Sequence, residues 1–171
     1  MIESYDEEFV LNLCQTFKCS INKDLEDFIA DKRKAISFEK RSITKTYLYL
    51  SLDKEIVAYF SISLNILKTN TLSKSIIKKI DGIDKNRKEI ACFLIAQLGK
   101  SDKCVYNIGS YILSDSIDTI KEASNIIGGR VIVLDAINHP KVIDFYEKNY
   151  FITLNTSLTS KSVKMYYPLY L

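Results

Sequence analysis

The sequence predicts a single mixed α/β domain over residues 1–171, with a parallel β–α–β step built into the second half of its sheet. Three features lead there. Two aromatic and β-branched runs, "TYLYLSL" and "EIVAYFSISL", flank the turn Asp53-Lys54 and read as an antiparallel hairpin. Two near-continuous apolar runs, "IACFLIAQLGK" and "RVIVLDA", read as strands buried on both faces. Between those two runs lies a helical stretch from about Ile108 to Ile127 that stops at Gly128-Gly129.

The remaining elements follow in chain order. "NKDLEDFIADKRKAISFEK" (Asn22 to Lys40) sets Leu25, Phe28, Ile29 and Ile36 at helical spacing with charges between them. Asn22 or Ser20 caps its start, and early acids with later bases suit the helix dipole. After the hairpin, "TLSKSIIKKIDG" is a short helix with a glycine stop at Gly82, and "DKNRKE" is a charged loop. A turn at Asn138-His139-Pro140 opens the helix "KVIDFYEKN", where proline fits the first turn. "YFITLN" and "VKMYYPLY" close the fold as strands. With two prolines and five glycines, no flexible linker interrupts the chain, and no repeat is visible.

Composition narrows the functional classes. Apolar residues make up 47% and charged ones 26%, which suits a globular chain rather than a disordered one. The net charge of +3 is too mild to argue a nucleic-acid binder by itself. No apolar run reaches the ~20 residues that a bilayer span needs. The start "MIESYDEEF" is acidic where a signal peptide would be basic and then apolar, so a soluble cytoplasmic protein is expected. Cys14, Cys19, Cys92 and Cys104 form no CxxC pair, and the one histidine, His139, is not near them. Buried free thiols are expected, with no metal site.

Chemistry concentrates in "CFLIAQLGKSDKCVYNIGSYIL". A buried strand here runs through a loop into a helix start, where unpaired N–H groups and the positive dipole end favour an anion. Gly109 would let a phosphate approach the backbone closely. There is no GxGxxG and no GxxxxGK[ST], so neither a Rossmann nor a P-loop site is supported. Taken alone, an ordinary strand-to-helix turn explains the segment equally well.

Order along the chain adds to this. From Ala91 to Phe151, a buried strand, a loop, a helix and a second strand are followed by Asn138 and then "DFYEKNYF". This succession resembles the core of the GCN5-related N-acetyltransferases. The N-terminal half, "FKCSINKDLEDFIADKRKAI…KTYLYLSLDKEIVAYFSIS", is similar to the opening of the bacterial toxin-type members. The resemblance spans about Phe17 to Leu169. It implies a mostly antiparallel sheet with one splayed parallel strand pair and flanking helices, and it implies acetyl-CoA as co-substrate.

It further implies that the backbone of Leu98 and Lys100 pairs with the pantetheine arm. The loop holding Lys103, Asn107, Ile108 and Gly109 would lie against the pyrophosphate. This sequence departs from the family's Gln/Arg-x-x-Gly-x-Gly/Ala loop: Cys104 replaces the first residue and Asn107 the first glycine. Asn is the non-glycine residue that best tolerates positive φ, so Asn107 is expected to hold the turn. The altered loop leaves open a non-catalytic binding protein that keeps the fold.

Direct acetyl transfer to an amine needs no covalent enzyme intermediate, but the departing thiolate needs a proton. A tyrosine with pKa near ~10 can supply one to a thiolate of roughly 8.5. The resemblance gives that role to Tyr146. Read from the residues alone, Val142, Phe145, Tyr146 and Asn149 share helical spacing, and Tyr146 reads as a core ring with its hydroxyl paired, since aromatic stripes usually serve packing. Asn138 either holds a pantetheine amide or caps the helix at Lys141, the cap needing no ligand to explain it. Glu39 and Glu55 are the carboxylates considered for deprotonating the acceptor amine, but each reads first as a solvated surface group.

The expected activity is therefore N-acetyl transfer to a primary amine, with no membrane partner and with homodimerisation compatible with the resemblance. Nucleic acid is not expected, except for tRNA if the chain acts as a toxin-type enzyme on aminoacyl-tRNA. Lys68, Lys74, Lys78, Lys79, Lys85, Arg87 and Lys88 would serve that reading, but Asp81, Asp84 and Glu89 interleave with them.

Overall fold

The computed structural model describes residues 6–155 and 160–170. Its strands form one mixed six-stranded sheet in the order β1-β2-β3-β4-β6-β5. These are β1 (Lys45–Leu50), β2 (Ile56–Lys68), β3 (Glu89–Lys100), β4 (Val131–Ile137), β5 (Ile152–Asn155) and β6 (Ser162–Pro168). The helices are α1 (Glu7–Cys14), α2 (Lys23–Ala30), α3 (Ala35–Lys40), α4 (Lys74–Asp81), α5 (Gly109–Ile127) and α6 (Pro140–Lys148). Two compact units divide the chain, one of Met1–Ser63 with Gln97–Ser116 and one of Leu64–Ala96 with Ile117–Leu171. Among the described residues, no helix is long and apolar enough to cross a membrane.

In the first unit, β1 and β2 pair antiparallel from Lys45↔Ile62, and Lys54 takes the left-handed turn position at φ 58°. The core of this unit is aromatic. Phe17 meets Tyr59 edge-on at 5.0 Å, Phe28 stacks on Tyr59 at 6.4 Å, and the Tyr59 hydroxyl donates to the Leu25 carbonyl at 2.7 Å. Burying rings whose one polar atom is satisfied gives large apolar burial without a stranded hydroxyl.

The helix predicted over Asn22 to Lys40 is two helices. Asn22 caps α2 as expected, accepting from the Asp24 N–H at 3.1 Å. Asp31 then turns extended (φ −86°, ψ 114°), and its carboxylate accepts from the Arg33 N–H at 2.9 Å and from the Arg33 guanidinium at 3.1 and 3.0 Å. A short acidic side chain that bonds the backbone two residues on is a competitor to the helix ladder, and here it wins. The reading also missed α1, whose N-cap Asp6 accepts from the Glu8 N–H.

The second unit is built on β3, β4, β6 and β5. Leu67, Cys92, Val131, Val133, Leu154 and Tyr166 pack with Ile77 and Ile80 of α4 into one cluster. Gly82 ends α4 in the left-handed conformation at φ 86°, where a side chain is strained, and Arg130 Nε donates to the Ile80 carbonyl at 3.1 Å. The continuous apolar run of β3 is buried on both faces only in its middle. Cys92, Phe93 and Ile95 are buried, whereas Ala91 is exposed.

The parallel ladder between β3 and β4 consists of Phe93↔Ile132 and Leu94↔Val133. Both strands continue, to Lys100 and Ile137, past the last of these pairs. This is the splayed parallel pair expected of the fold, and it leaves β3 backbone groups beyond Leu94 without β4 partners. All four cysteines are free and buried.

Candidate active site

The end of β3, the following loop and the start of α5 belong to the first unit and form one hydrogen-bonded piece. Leu98 packs its side chain with Ala58, Phe60 and Ile112. Gly99 is buried, and a Cβ there would lie 3.0 Å from Leu25 and 3.3 Å from Phe17. The loop is then fastened at its base: Ser101 N–H donates to the Val57 carbonyl and Asp102 N–H to the Lys18 carbonyl, both at 2.8 Å. Asp102 returns the favour by accepting from the Ser20 N–H at 2.8 Å. Cys104 N–H closes a turn on the Ser101 carbonyl at 3.0 Å, and its thiol is buried.

Above that base the loop turns its carbonyls toward Lys100. The Lys100 ammonium donates to the Cys104 carbonyl at 2.8 Å and to the Tyr106 carbonyl at 3.4 Å. The N–H groups of Val105, Tyr106 and Asn107 have no hydrogen-bond partner among the described residues. α5 then begins at Gly109, its first ladder bond running from Ile112 N–H to the Ile108 carbonyl at 3.0 Å. A helix start preceded by unpartnered N–H groups is where an anion gains hydrogen bonds and dipole attraction together.

One expectation about this loop is corrected. Asn107 is not left-handed: among the described residues, the non-glycine residues with positive φ are Ser42, Lys54 and Tyr150. The Lys100 bonds hold the turn in its place. Lys103, expected at the phosphate, points its ammonium to Glu55 at 2.6 Å, both groups about two-fifths exposed. That contact also engages Glu55. Glu39 is engaged as well, accepting from Lys45 Nζ at 2.8 Å and from the Thr46 N–H at 2.9 Å.

In the second unit the capping of α6 differs from the reading. His139 is the N-cap, its Nδ1 accepting from the Lys141 N–H at 3.2 Å. Asn138 instead donates from its side-chain amide to the Ser160 carbonyl at 2.9 Å. The imidazole wins because its residue directly precedes Pro140, so its nitrogen reaches the N2 amide of the helix.

Tyr146 lies on α6 between two rings, Phe145 at 5.1 Å and Phe151 at 5.6 Å, both edge-on. The side chain is half-buried. Its hydroxyl makes no hydrogen bond to any described residue. The sealed-off, unpartnered side-chain oxygens among the described residues are those of Thr44 and Tyr170, so the Tyr146 hydroxyl is not fully sealed from solvent. Burial of the ring pushes its pKa up to about 12. The group is therefore a protonated phenol with a free donor.

The same unit carries a cavity of about 350 Å³ that the reading missed. Leu67, Val133 and Leu154 form its apolar wall with Asn65 and Asn70 among its polar groups, and Lys164 lines it while paired with Asp135 at 2.8 Å. No sequence signal marks it, because its residues come from β2 and the turn after it, β4, β5 and β6. Among the described residues no cluster of metal-ligating side chains occurs.

No protein-family model and no curated protein matches this chain. Solved structures do. A bacterial toxin superposes with a TM-score of 0.73 at 17% identity, over 92% of this chain and 83% of that one. AtaT complexed with acetyl-methionyl-tRNAfMet gives 0.71 at 18%, over 91% and 86%. AtaTR bound with acetyl-CoA gives 0.70 at 18%, again over 91% and 86%. Identity at this level establishes shared architecture. The chain therefore shares the fold of these toxin structures, the fold that the resemblance in its sequence implied.

Proposed function

We propose that the chain, working as one domain, transfers acetyl from acetyl-CoA directly to a primary amine. The observation that carries this reading is the β3–loop–α5 segment, whose unpartnered N–H groups precede a helix start as a pyrophosphate requires. Its support from outside is the fold shared with AtaTR bound to acetyl-CoA.

In this reading the backbone of Leu98 and Lys100 pairs with the pantetheine amides. Asn107, Ile108 and Gly109 present the phosphate-facing backbone, and Asn138 contributes from the turn before α6. The acceptor nitrogen attacks the thioester carbonyl carbon and the carbon–sulfur bond breaks. Tyr146 offers its phenolic proton to the departing sulfur, the nitrogen's surplus proton passes to solvent, and the phenolate is reprotonated from solvent. A pKa raised to about 12 keeps that proton in place throughout neutral pH. Titration with CoA tests the reading, and a folded protein that binds no CoA would leave only the non-catalytic alternative.

A second reading, acetylation of the amino group of an aminoacyl-tRNA, is favoured by the similarity to AtaT complexed with acetyl-methionyl-tRNAfMet. The basic run bears on it. Asp81 is engaged by Arg87 at 3.1 Å and accepts from the N–H groups of Ile83 and Asp84. Lys68, Lys74, Lys79, Lys85 and Lys88 form no ion pair within the described residues. The salt dependence of tRNA binding decides: a slope equivalent to about six or more phosphate contacts supports this reading, and weak binding at physiological salt opposes it.

A further inference from the structure

We infer that the Lys100 side chain, and not only its backbone, is the cationic element of the cofactor loop. This rests on the reading of that loop as a pyrophosphate site. The family-type loop carries a Gln or Arg where this chain has Cys104, whose buried thiol donates nothing to an anion. Lys103, the nearest cation in sequence, is neutralised by Glu55 at 2.6 Å. Lys100 is left, and its geometry suits the task.

An ammonium carries three N–H donors. Two of those of Lys100 go to the Cys104 and Tyr106 carbonyls at 2.8 and 3.4 Å, and no carboxylate among the described residues pairs with it. The two bonds tie Lys100 to the carbonyls of the same loop whose Val105, Tyr106 and Asn107 N–H groups have no partner among the described residues. The third N–H remains for a phosphate oxygen. One side chain thus shapes the loop and restores the positive charge that Cys104 lacks. A chain that has lost the loop's glycine and its basic residue can hold a pyrophosphate by this means.

Calorimetric titration of the full chain with CoA tests the inference, using Lys100→Met, Lys100→Arg and Lys103→Met. A hydrogen bond to a charged group is worth about 1.5–3 kcal/mol, so Lys100→Met should weaken CoA roughly 10- to 100-fold. Lys100→Arg should recover most of that loss, and Lys103→Met should weaken CoA less than Lys100→Met does. The dependence of CoA affinity on salt should be shallower for Lys100→Met than for the wild type. Amide hydrogen exchange of Cys104–Ile108 in the ligand-free protein should speed up in Lys100→Met and be restored by arginine.

Should Lys100→Met fail to fold, Lys100→Gln, which keeps one donor but drops the charge, takes its place with the same expected loss. Wild-type affinity retained in either variant while the wild type binds CoA overturns this inference alone. A larger loss in Lys103→Met than in Lys100→Met overturns it too. A wild type that binds no CoA overturns the loop reading itself and this inference with it.

Discussion

The β3–α5 loop and the α6 segment treat their polar groups in opposite ways. From Lys100 to Ile108 most donors and acceptors satisfy one another: Ser101, Asp102, Cys104 and Lys100 all bond within the first unit. Among the described residues the backbone N–H groups of Val105, Tyr106 and Asn107 are left without partners. On α6 the Tyr146 ring is half-buried between Phe145 and Phe151, yet its hydroxyl has no partner among the described residues. A structural tyrosine in such a packed setting normally finds one. On the proposed reading the loop is a preformed cradle whose function resides in backbone geometry, whereas α6 supplies a single reactive side chain. Substitutions in the two places should fail differently.

The largest expected effect sharpens that contrast. Tyr146→Phe removes an unpartnered oxygen and keeps the ring, so the melting temperature should barely move. Turnover with a competent amine should fall by about 10²–10⁴-fold while acetyl-CoA affinity holds. A rate close to wild type would return Tyr146 to the core. The same assignment sets a pH expectation. The acid form of Tyr146 exists below its raised pKa of about 12, so the phenol imposes no alkaline loss of turnover below about pH 11. An alkaline limb near pH 10 that disappears in Tyr146→Phe would contradict the burial of this ring.

Gly109→Val tests the other side. A β-branched residue at the first position of α5 costs little helix propensity but fills the space beside the helix-start N–H groups. Acetyl-CoA affinity should drop by about an order of magnitude in a folded protein, equivalent to one lost hydrogen bond to a charged group. Turnover at saturating acetyl-CoA should change far less than in Tyr146→Phe. Equal damage to both quantities would erase the distinction between cradle and reagent.

The loop's footing is sensitive to acid. Glu26 accepts from the Cys19 N–H and from the ammonium groups of Lys23 and Lys18, which together hold its pKa down at about 2. A depressed carboxylate contributes stability that is present above its unfolded pKa and lost as pH falls through the folded value. The stabilisation should therefore fade from about pH 4.3 toward 2. Since Lys18 also accepts the Asp102 N–H through its carbonyl, exchange at the loop base should quicken in that window, and Glu26→Gln should flatten the dependence. The smallest effect lies away from both regions: Asn22→Ala removes the α2 cap and should cost about 1 kcal/mol in denaturant unfolding.

Local pattern was enough for much of this. The hairpin about Asp53-Lys54, the stop at Gly82, α5 and the buried strands on either side of it were all readable, because each depends on periodicity or on a turn residue within a few positions. The resemblance carried by Asn138 and "DFYEKNYF" anticipated the splayed parallel pair. The break at Asp31 was missed because helical spacing runs through it, and only the fork with Arg33 reveals that the side chain has captured the backbone.

What a single polar group does was beyond the sequence. Lys103 and Lys100 are both cations beside the same loop, yet one meets Glu55 from across the hairpin turn and the other meets carbonyls of its own loop. Asn138 and His139 are both competent caps, and the register of Pro140 decides between them. Whether the Tyr146 hydroxyl is paired depends on residues that adjoin it only in the folded chain. Hydrophobic periodicity specifies which residues are buried, since burial is shared along a whole face and tolerates local error. A hydrogen bond requires two atoms to meet within about 3 Å, and that choice belongs to the tertiary structure.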